Sequence, residues 1–190
     1  MRIRQFALGI VVALAAAASP AAAQEFSETP GLFGIFDEVR GGVVYPVQGN
    51  DDSGVILSGQ LYFRTFVPPF ENYFMNTLLR PRVHFGGNLA TGDDPINQVY
   101  GGLTWNFPIF RRVFLEASFG GTWHDGPLES LGGGLDLGCE IMFREAVGIG
   151  VDIGQHWRFV ASADHSSHAG LCDGGNSGIT HAGVYAGYRF

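Results

Sequence analysis

The sequence predicts an all-β protein, an eight-stranded antiparallel up-and-down transmembrane β-barrel formed after an export signal is removed. Three observations carry this expectation. From Glu38 onward, segments of roughly 10 to 19 residues alternate between two side-chain classes, and period two is the strand signal. Segments rich in Gly, Pro, Asn and Asp separate the runs, as turns require. After the first 23 residues no apolar run approaches the roughly 20 residues of a membrane helix, and helix-period stretches are scarce.

Taken in order, residues 1–23 are expected to be a secretory signal peptide. Arg2 and Arg4 form a positive n-region and Phe6 to Ala18 an apolar h-region. Ala21, Ala22 and Ala23 give a small-residue cleavage site ahead of Gln24. The apolar run is short and ends at Pro20, which disfavours a retained anchor. Residues 24–190 then form one barrel domain by size. Strands are expected at 37–47, 53–66, 79–89, 97–107, 111–123, 136–154, 156–168 and 179–190. The turns between them include "GNDDSG", "VPPFEN", "ATGDDP", "FPIFRR", "HDGPLESLGGG" and "GLCDGGNSG".

Within the runs the faces separate clearly. "VFLEASFGGTW" puts Val113, Leu115, Ala117, Phe119 and Trp123 on one face, with Phe114, Glu116, Ser118 and Thr122 on the other. "WRFVASADHSS" places Trp157, Phe159, Ala161 and Ala163 opposite Arg158, Ser162 and Asp164. "THAGVYAGYRF" sends Ala182, Val184, Ala186, Tyr188 and Phe190 one way and His181, Tyr185 and Arg189 the other. A soluble sandwich or barrel would bury the apolar row, whereas a membrane barrel turns it to lipid and keeps a polar interior. Export, strand length and the aromatics at strand ends (Tyr100, Trp105, Phe107, Trp123, Trp157, Tyr188, Phe190) favour the membrane barrel. Glycine on the inner row suits the crowded interior of a narrow barrel. The aromatic ending "AGYRF" is similar to the terminal signature of bacterial outer-membrane barrels.

Charge excludes one class of partner. The chain has no Lys, and removing Arg2 and Arg4 leaves nine Arg against 18 acidic residues, a net charge of −9. Nucleic acid, whose phosphates need cationic contacts, is therefore not an expected partner. Outer-membrane lipids are expected neighbours, a homodimer is left open, and no cofactor is implied. Cys139 and Cys172 belong to an exported chain, so a disulfide is one expectation and two separate thiols the other.

The stretch "SADHSSHAGLCDGGNSG", residues 162–178, concentrates the polar chemistry. Extending strand seven's apolar row upward puts His165 and Ser167 on the lipid-facing side, and Asp164 and Ser166 in the lumen. Polar groups facing lipid are costly or carry function. A His two residues from a Ser shares its face and can take the hydroxyl proton, activating a weak nucleophile. The competing reading is a polar pair touching lipid headgroups.

"HSSHAGL" followed by "NSGI" resembles the PagL-type lipid A 3-O-deacylases, whose pattern there is His-x-Ser-Asn-Ala-Gly-Leu and then Asn-x-Gly-Ile-Glu. The likeness extends through "VYGGLTWNF", "FLEASFGGTWHDG" and "FREAVGIG". The resemblance implies an eight-stranded outer-membrane barrel. It also implies hydrolysis of the 3-position ester of lipid A in the outer leaflet, by a His-Ser-Glu site on the barrel's outer surface. It makes Ser167 the nucleophile, His165 the general base, and the amides around His168, Ala169 and Gly170 an oxyanion hole.

Two positions depart from that pattern: His168 stands where the family has Asn, and Thr180 where it has the acidic residue. A hydroxyl can hold an imidazole but does not stabilise an imidazolium as a carboxylate does. The expectation is therefore an esterase, or a catalytically weak or inactive barrel with a structural or adhesive role. Glu145 is the single charge in strand six's lipid-facing row, read as Leu137, Cys139, Ile141, Phe143, Val147, Ile149, Val151 and Ile153. A turn centred on Gln155 would set Glu145 opposite His165, where it could replace the missing acid. Against this stand a bulge turning Glu145 inward or a local pair with Arg144. A zinc site of His165, His168 and Cys172 is disfavoured, since i and i+3 on a strand face opposite ways. The set also has no fourth ligand. No metal is expected.

Overall fold

The computed structural model describes residues 34–47, 53–130 and 134–190; the expected signal peptide lies outside them. Eight strands form a closed barrel in chain order, each antiparallel to its neighbours. They are β1 (Phe36–Pro46), β2 (Ile56–Phe63), β3 (Arg82–Ala90), β4 (Gln98–Pro108), β5 (Val113–His124), β6 (Ile141–Ile153), β7 (Trp157–Ser167) and β8 (Ile179–Arg189). β1 pairs with β8, from Glu38 opposite Arg189 to Pro46 opposite His181, which closes the wall and leaves no edge strand. This is the expected fold class.

The alternation sorts side chains as a membrane wall requires. On β6, Val147 is 66 % exposed on the outer face, while the neighbouring inward positions Met142 and Arg144 are buried. The lumen is filled by an ionic lattice. Glu38 accepts from Arg40, from Arg82 at 2.7 Å and from Arg158 at 3.2 Å. Arg40 also grips Glu116 through two bonds of 2.7 Å. Nearer the other end, Arg144 lies 3.9 Å over the Tyr100 ring and 3.1 Å from Asp164, which is 3.2 Å from His181. Buried charges of this kind persist only when paired. Interior glycines make the room: a β-carbon on Gly150 would lie 2.1 Å from the Phe114 ring.

Two features differ from the sequence expectation. Residues 136–140 do not extend β6. Gly138, at φ 69°, turns the chain there, so Leu137 is buried with Ile96, Leu135, Met142 and Ile179. Leu137 and Cys139 therefore leave the lipid-facing row assigned to them. The β2–β3 connection, expected as a plain turn, contains a short helix α1 (Tyr73–Leu78), capped by Asn72, whose side chain accepts from the Met75 amide.

Candidate functional site

His165 and Ser167 lie on the last turn of the pleat of β7, one above the other on its outward row. Their position follows from the alternation that turns Asp164 and Ser166 into the lumen, where both are buried. The outward row places His165 between two polar neighbours, Glu145 of β6 and Thr180 of β8. The imidazole takes the β8 side: Nδ1 is 2.8 Å from Thr180 Oγ1. With Nδ1–H donating to that hydroxyl, Nε2 keeps its lone pair, the tautomer a general base needs.

β6 and β7 pair without a register shift from Phe143–Ser167 to Ile153–Trp157, so no bulge turns Glu145 inward. Arg144 points into the lumen toward Asp164. Glu145 is exposed on the outer face and forms no hydrogen bond or ion pair among the described residues. The site thus brings Glu145 to the strand position beside His165, while Thr180 alone makes the hydrogen bond. Ser167 stands opposite Phe143, whose ring stacks on Phe119 at 6.0 Å, giving Ser167 an aromatic flank.

Immediately after Ser167 the chain makes a tight turn, closed by the Leu171 amide donating to the His168 carbonyl at 3.0 Å. Its central residues, Ala169 and Gly170, have φ values of 52° and 79°. Positive φ at both positions is the type I′ pattern. Ala169 is the sole non-glycine residue with positive φ among the described residues. That conformation costs an L-residue about 1–2 kcal/mol. The Ala169 and Gly170 amides donate to no group among the described residues. The His168 amide, by contrast, donates to Asn176 Oδ1 at 3.3 Å, so the oxyanion trio expected from sequence narrows to two open donors.

The turn is braced from behind. His168 is buried; its Nδ1 accepts from the Cys172 amide at 3.3 Å and its Nε2 donates to the Gly175 carbonyl at 2.9 Å. Cys139 and Cys172 form a disulfide, with Cα atoms 6.1 Å apart. Cys139 lies in the loop before β6, and Cys172 in the loop between β7 and β8. Asp136 and Ser177 add bonds between the same two loops, including Ser177 N–H to Asp136 O at 2.8 Å. Cys139, His168 and Cys172 lie close enough to hold a metal ion, but both sulfurs are bonded to each other and both His168 nitrogens to backbone. His165 is not part of that cluster, and the cluster works as a clamp.

One contributor escaped the sequence reading. Gly178, at φ 70°, sits under the imidazole, and a β-carbon there would lie 2.7 Å from His165 Cε1. Its only signal was its place in "NSGI", two residues before Thr180. Below His165, a shallow apolar groove runs down the outer wall over Ala161, Ala163 and Ala182, bordered by Leu115, Val147 and Ile149.

The fold resembles solved outer-membrane barrels. Similar structures include the outer membrane enzyme PagL (TM-score 0.60, 18 % identity, covering 79 % of this chain and 97 % of that one). The N-terminal β-barrel domain of Pseudomonas aeruginosa OprF is also similar (TM-score 0.55, 13 % identity, 82 % and 97 % covered). So is a de novo designed transmembrane β-barrel (TM-score 0.51, 10 % identity, 82 % and 95 % covered). No curated protein sequence matches significantly. Residues 69–189 match the sequence model of PagL, described as lipid A 3-O-deacylase. That match spans most of the barrel and includes all of β3 to β8, and it fixes the identity: the chain is an outer-membrane β-barrel belonging to the PagL lipid A 3-O-deacylase family.

Proposed function

We propose that this chain removes the 3-position acyl chain of lipid A by serine-type ester hydrolysis on its lipid-facing surface. The observation that carries the reading is the His165–Thr180 hydrogen bond, which poises the base on the same outward row as Ser167. Ser167 Oγ attacks the ester carbonyl while His165 Nε2 takes its proton. The Ala169 and Gly170 amides receive the developing oxyanion, an interaction worth roughly 100- to 1,000-fold in other hydrolases. Collapse breaks the bond to the sugar 3-oxygen, which leaves as a hydroxyl by taking the proton from the imidazolium. Water then cleaves the acyl-enzyme with His165 again as base, releasing the fatty acid and free Ser167.

The groove below His165 supplies an apolar bed on which the acyl chain lies beside the nucleophile. With both termini on the periplasmic side, the ends of β7 and β8 that carry the site reach the extracellular leaflet, where lipopolysaccharide resides. Glu145, across the strand from His165, gives the imidazolium a nearby negative charge that Thr180 lacks.

The test is hydrolysis of purified lipopolysaccharide by the refolded barrel. Release of a 3-hydroxy fatty acid, abolished in Ser167→Ala and in His165→Ala, is the expected result. A Thr180 in place of a carboxylate favours the second reading, a barrel that kept the fold with little activity. No release by a folded wild-type barrel would establish it.

A further inference from the structure

The β2–β3 connection leaves its apolar side chains outside the protein. Phe66 is 74 % exposed and Phe74 70 % exposed, and Phe70, Tyr73, Met75 and Leu78 are exposed with them. No residue of α1 is buried. The connection is nevertheless well built. Arg80 donates from Nε to the Val67 carbonyl at 2.8 Å and from Nη1 to Asn76 Oδ1 at 3.1 Å, and Asn76 Oδ1 also accepts from the Phe70 amide. A helix of six residues is marginal in water on its own, so this one depends on its surroundings.

Its place on the barrel identifies those surroundings. Trp105 Nε1 donates to the Leu78 carbonyl at 2.8 Å. On β4, Trp105 belongs to the outward row with Leu103 and Phe107, while Thr104 between them is buried. The connection therefore folds against the outside of the wall rather than over the lumen, and its apolar side chains continue the lipid-facing band. Charge agrees. The exposed Arg111 and Arg112 of the β4–β5 turn lie at this same end of the barrel. The opposite end carries Asp93, Asp94, Asp125, Asp136 and Asp173, whereas the segment's own acid, Glu71, is accompanied by Arg80 in the same connection. Arginines near a membrane surface attract anionic headgroups, and an apolar helix face with aromatic residues suits the headgroup–acyl boundary.

We propose that residues 66–79 form an interfacial foot, seated in phospholipid of the leaflet opposite the candidate site. The segment lies in the plane of that leaflet, with Phe66, Phe70 and Phe74 among the acyl chains and the arginines at the headgroups. The foot fixes the depth of the barrel in the bilayer. The proposal rests on the membrane-spanning fold and stands whether or not the site hydrolyses ester.

The full barrel carrying Phe74→Trp is refolded into phosphatidylethanolamine–phosphatidylglycerol vesicles whose acyl chains are brominated close to the headgroup. Heat-modifiable gel mobility verifies folding, and Tyr73→Trp replaces the variant if Phe74→Trp does not fold. After subtraction of the wild-type signal, the added indole is expected to emit in the blue and to lose about half its intensity to the bromines. Aqueous iodide should leave it nearly unchanged. Quenching by iodide and not by bromine would place the segment in water and overturn the proposal. Protection from both quenchers, with a dimer mass in detergent, would mean that a second copy covers it, which also overturns it.

Discussion

Replacing Thr180 probes the side chain hydrogen-bonded to His165, at the position where the sequence resemblance implies an acidic residue. Thr180→Val keeps the side-chain volume and removes the 2.8 Å bond to His165 Nδ1. A neutral hydrogen bond contributes about 0.5–1.5 kcal/mol, and its loss frees the ring to rotate or to adopt the wrong tautomer. The tautomer penalty reaches about 10⁴-fold where a triad carboxylate is replaced by an amide, which sets an upper bound. For an existing hydroxyl partner, a fall of about 10- to 100-fold in the hydrolysis rate is expected. Thr180→Glu works in the other direction. It converts the bond to a charge-assisted one worth about 1.5–3 kcal/mol and adds attraction to the imidazolium formed during attack. Opposite charges about 4 Å apart attract by about 4 kcal/mol at a near-surface effective dielectric. Allowing for desolvation of the new carboxylate, a net gain of about 2–4 kcal/mol corresponds to a rate increase of roughly 30- to 1,000-fold.

The assay is the initial rate of 3-hydroxy fatty acid release from lipopolysaccharide, by mass spectrometry at one fixed pH. Each barrel must first be shown folded by its gel mobility. Unchanged activity in Thr180→Val would refute the role given to this bond. If Thr180→Glu brings no gain, Glu145→Gln distinguishes the two remaining cases. A large loss in that variant means Glu145 already supplies the charge. No loss removes the imidazolium from the mechanism altogether.

Three further outcomes follow from the structure. Gly178→Ala should cut hydrolysis at least about tenfold while the barrel stays folded, because the new β-carbon meets His165 Cε1 at 2.7 Å and the backbone is at positive φ; normal activity would show that the ring does not depend on that space. Reducing the Cys139–Cys172 bond, or replacing both by Ser, should lower activity and leave heat-modifiability intact, since the bond braces the turn at 168–171 and not the wall. Parallel loss of both properties would make the disulfide a requirement of the barrel itself. Glu38→Gln should destabilise the barrel by about 3–5 kcal/mol in urea unfolding, because it leaves the buried guanidinium groups of Arg40, Arg82 and Arg158 short of their shared counter-charge; an unchanged midpoint would mean the lattice rearranges around the loss.

Much of the architecture was already legible as period-two alternation, because a membrane wall imposes opposite solvents on successive residues. That period alone turns His165 and Ser167 outward and Asp164 and Ser166 inward, as they stand in the structure. The pairing of Glu145 with His165 followed from a short turn around Gln155, since a tight hairpin fixes register for its whole length. Alternation carries no information where a strand ends. Leu137 and Cys139 keep the period of β6 and yet leave it, because Gly138 turns the chain and Leu137 gains more from the cluster with Ile96 and Ile179 than from lipid. Nor does the sequence distinguish α1 from a turn, since six residues are too few for a helical period to declare itself. Alternation along the chain is enough to set the wall, its two faces, and the row on which the candidate chemistry lies. What supports the imidazole emerges only in three dimensions, because Thr180, Gly178, Ala169 and the clamp behind His168 meet through contacts between different strands and loops, and no local pattern encodes distances of that kind.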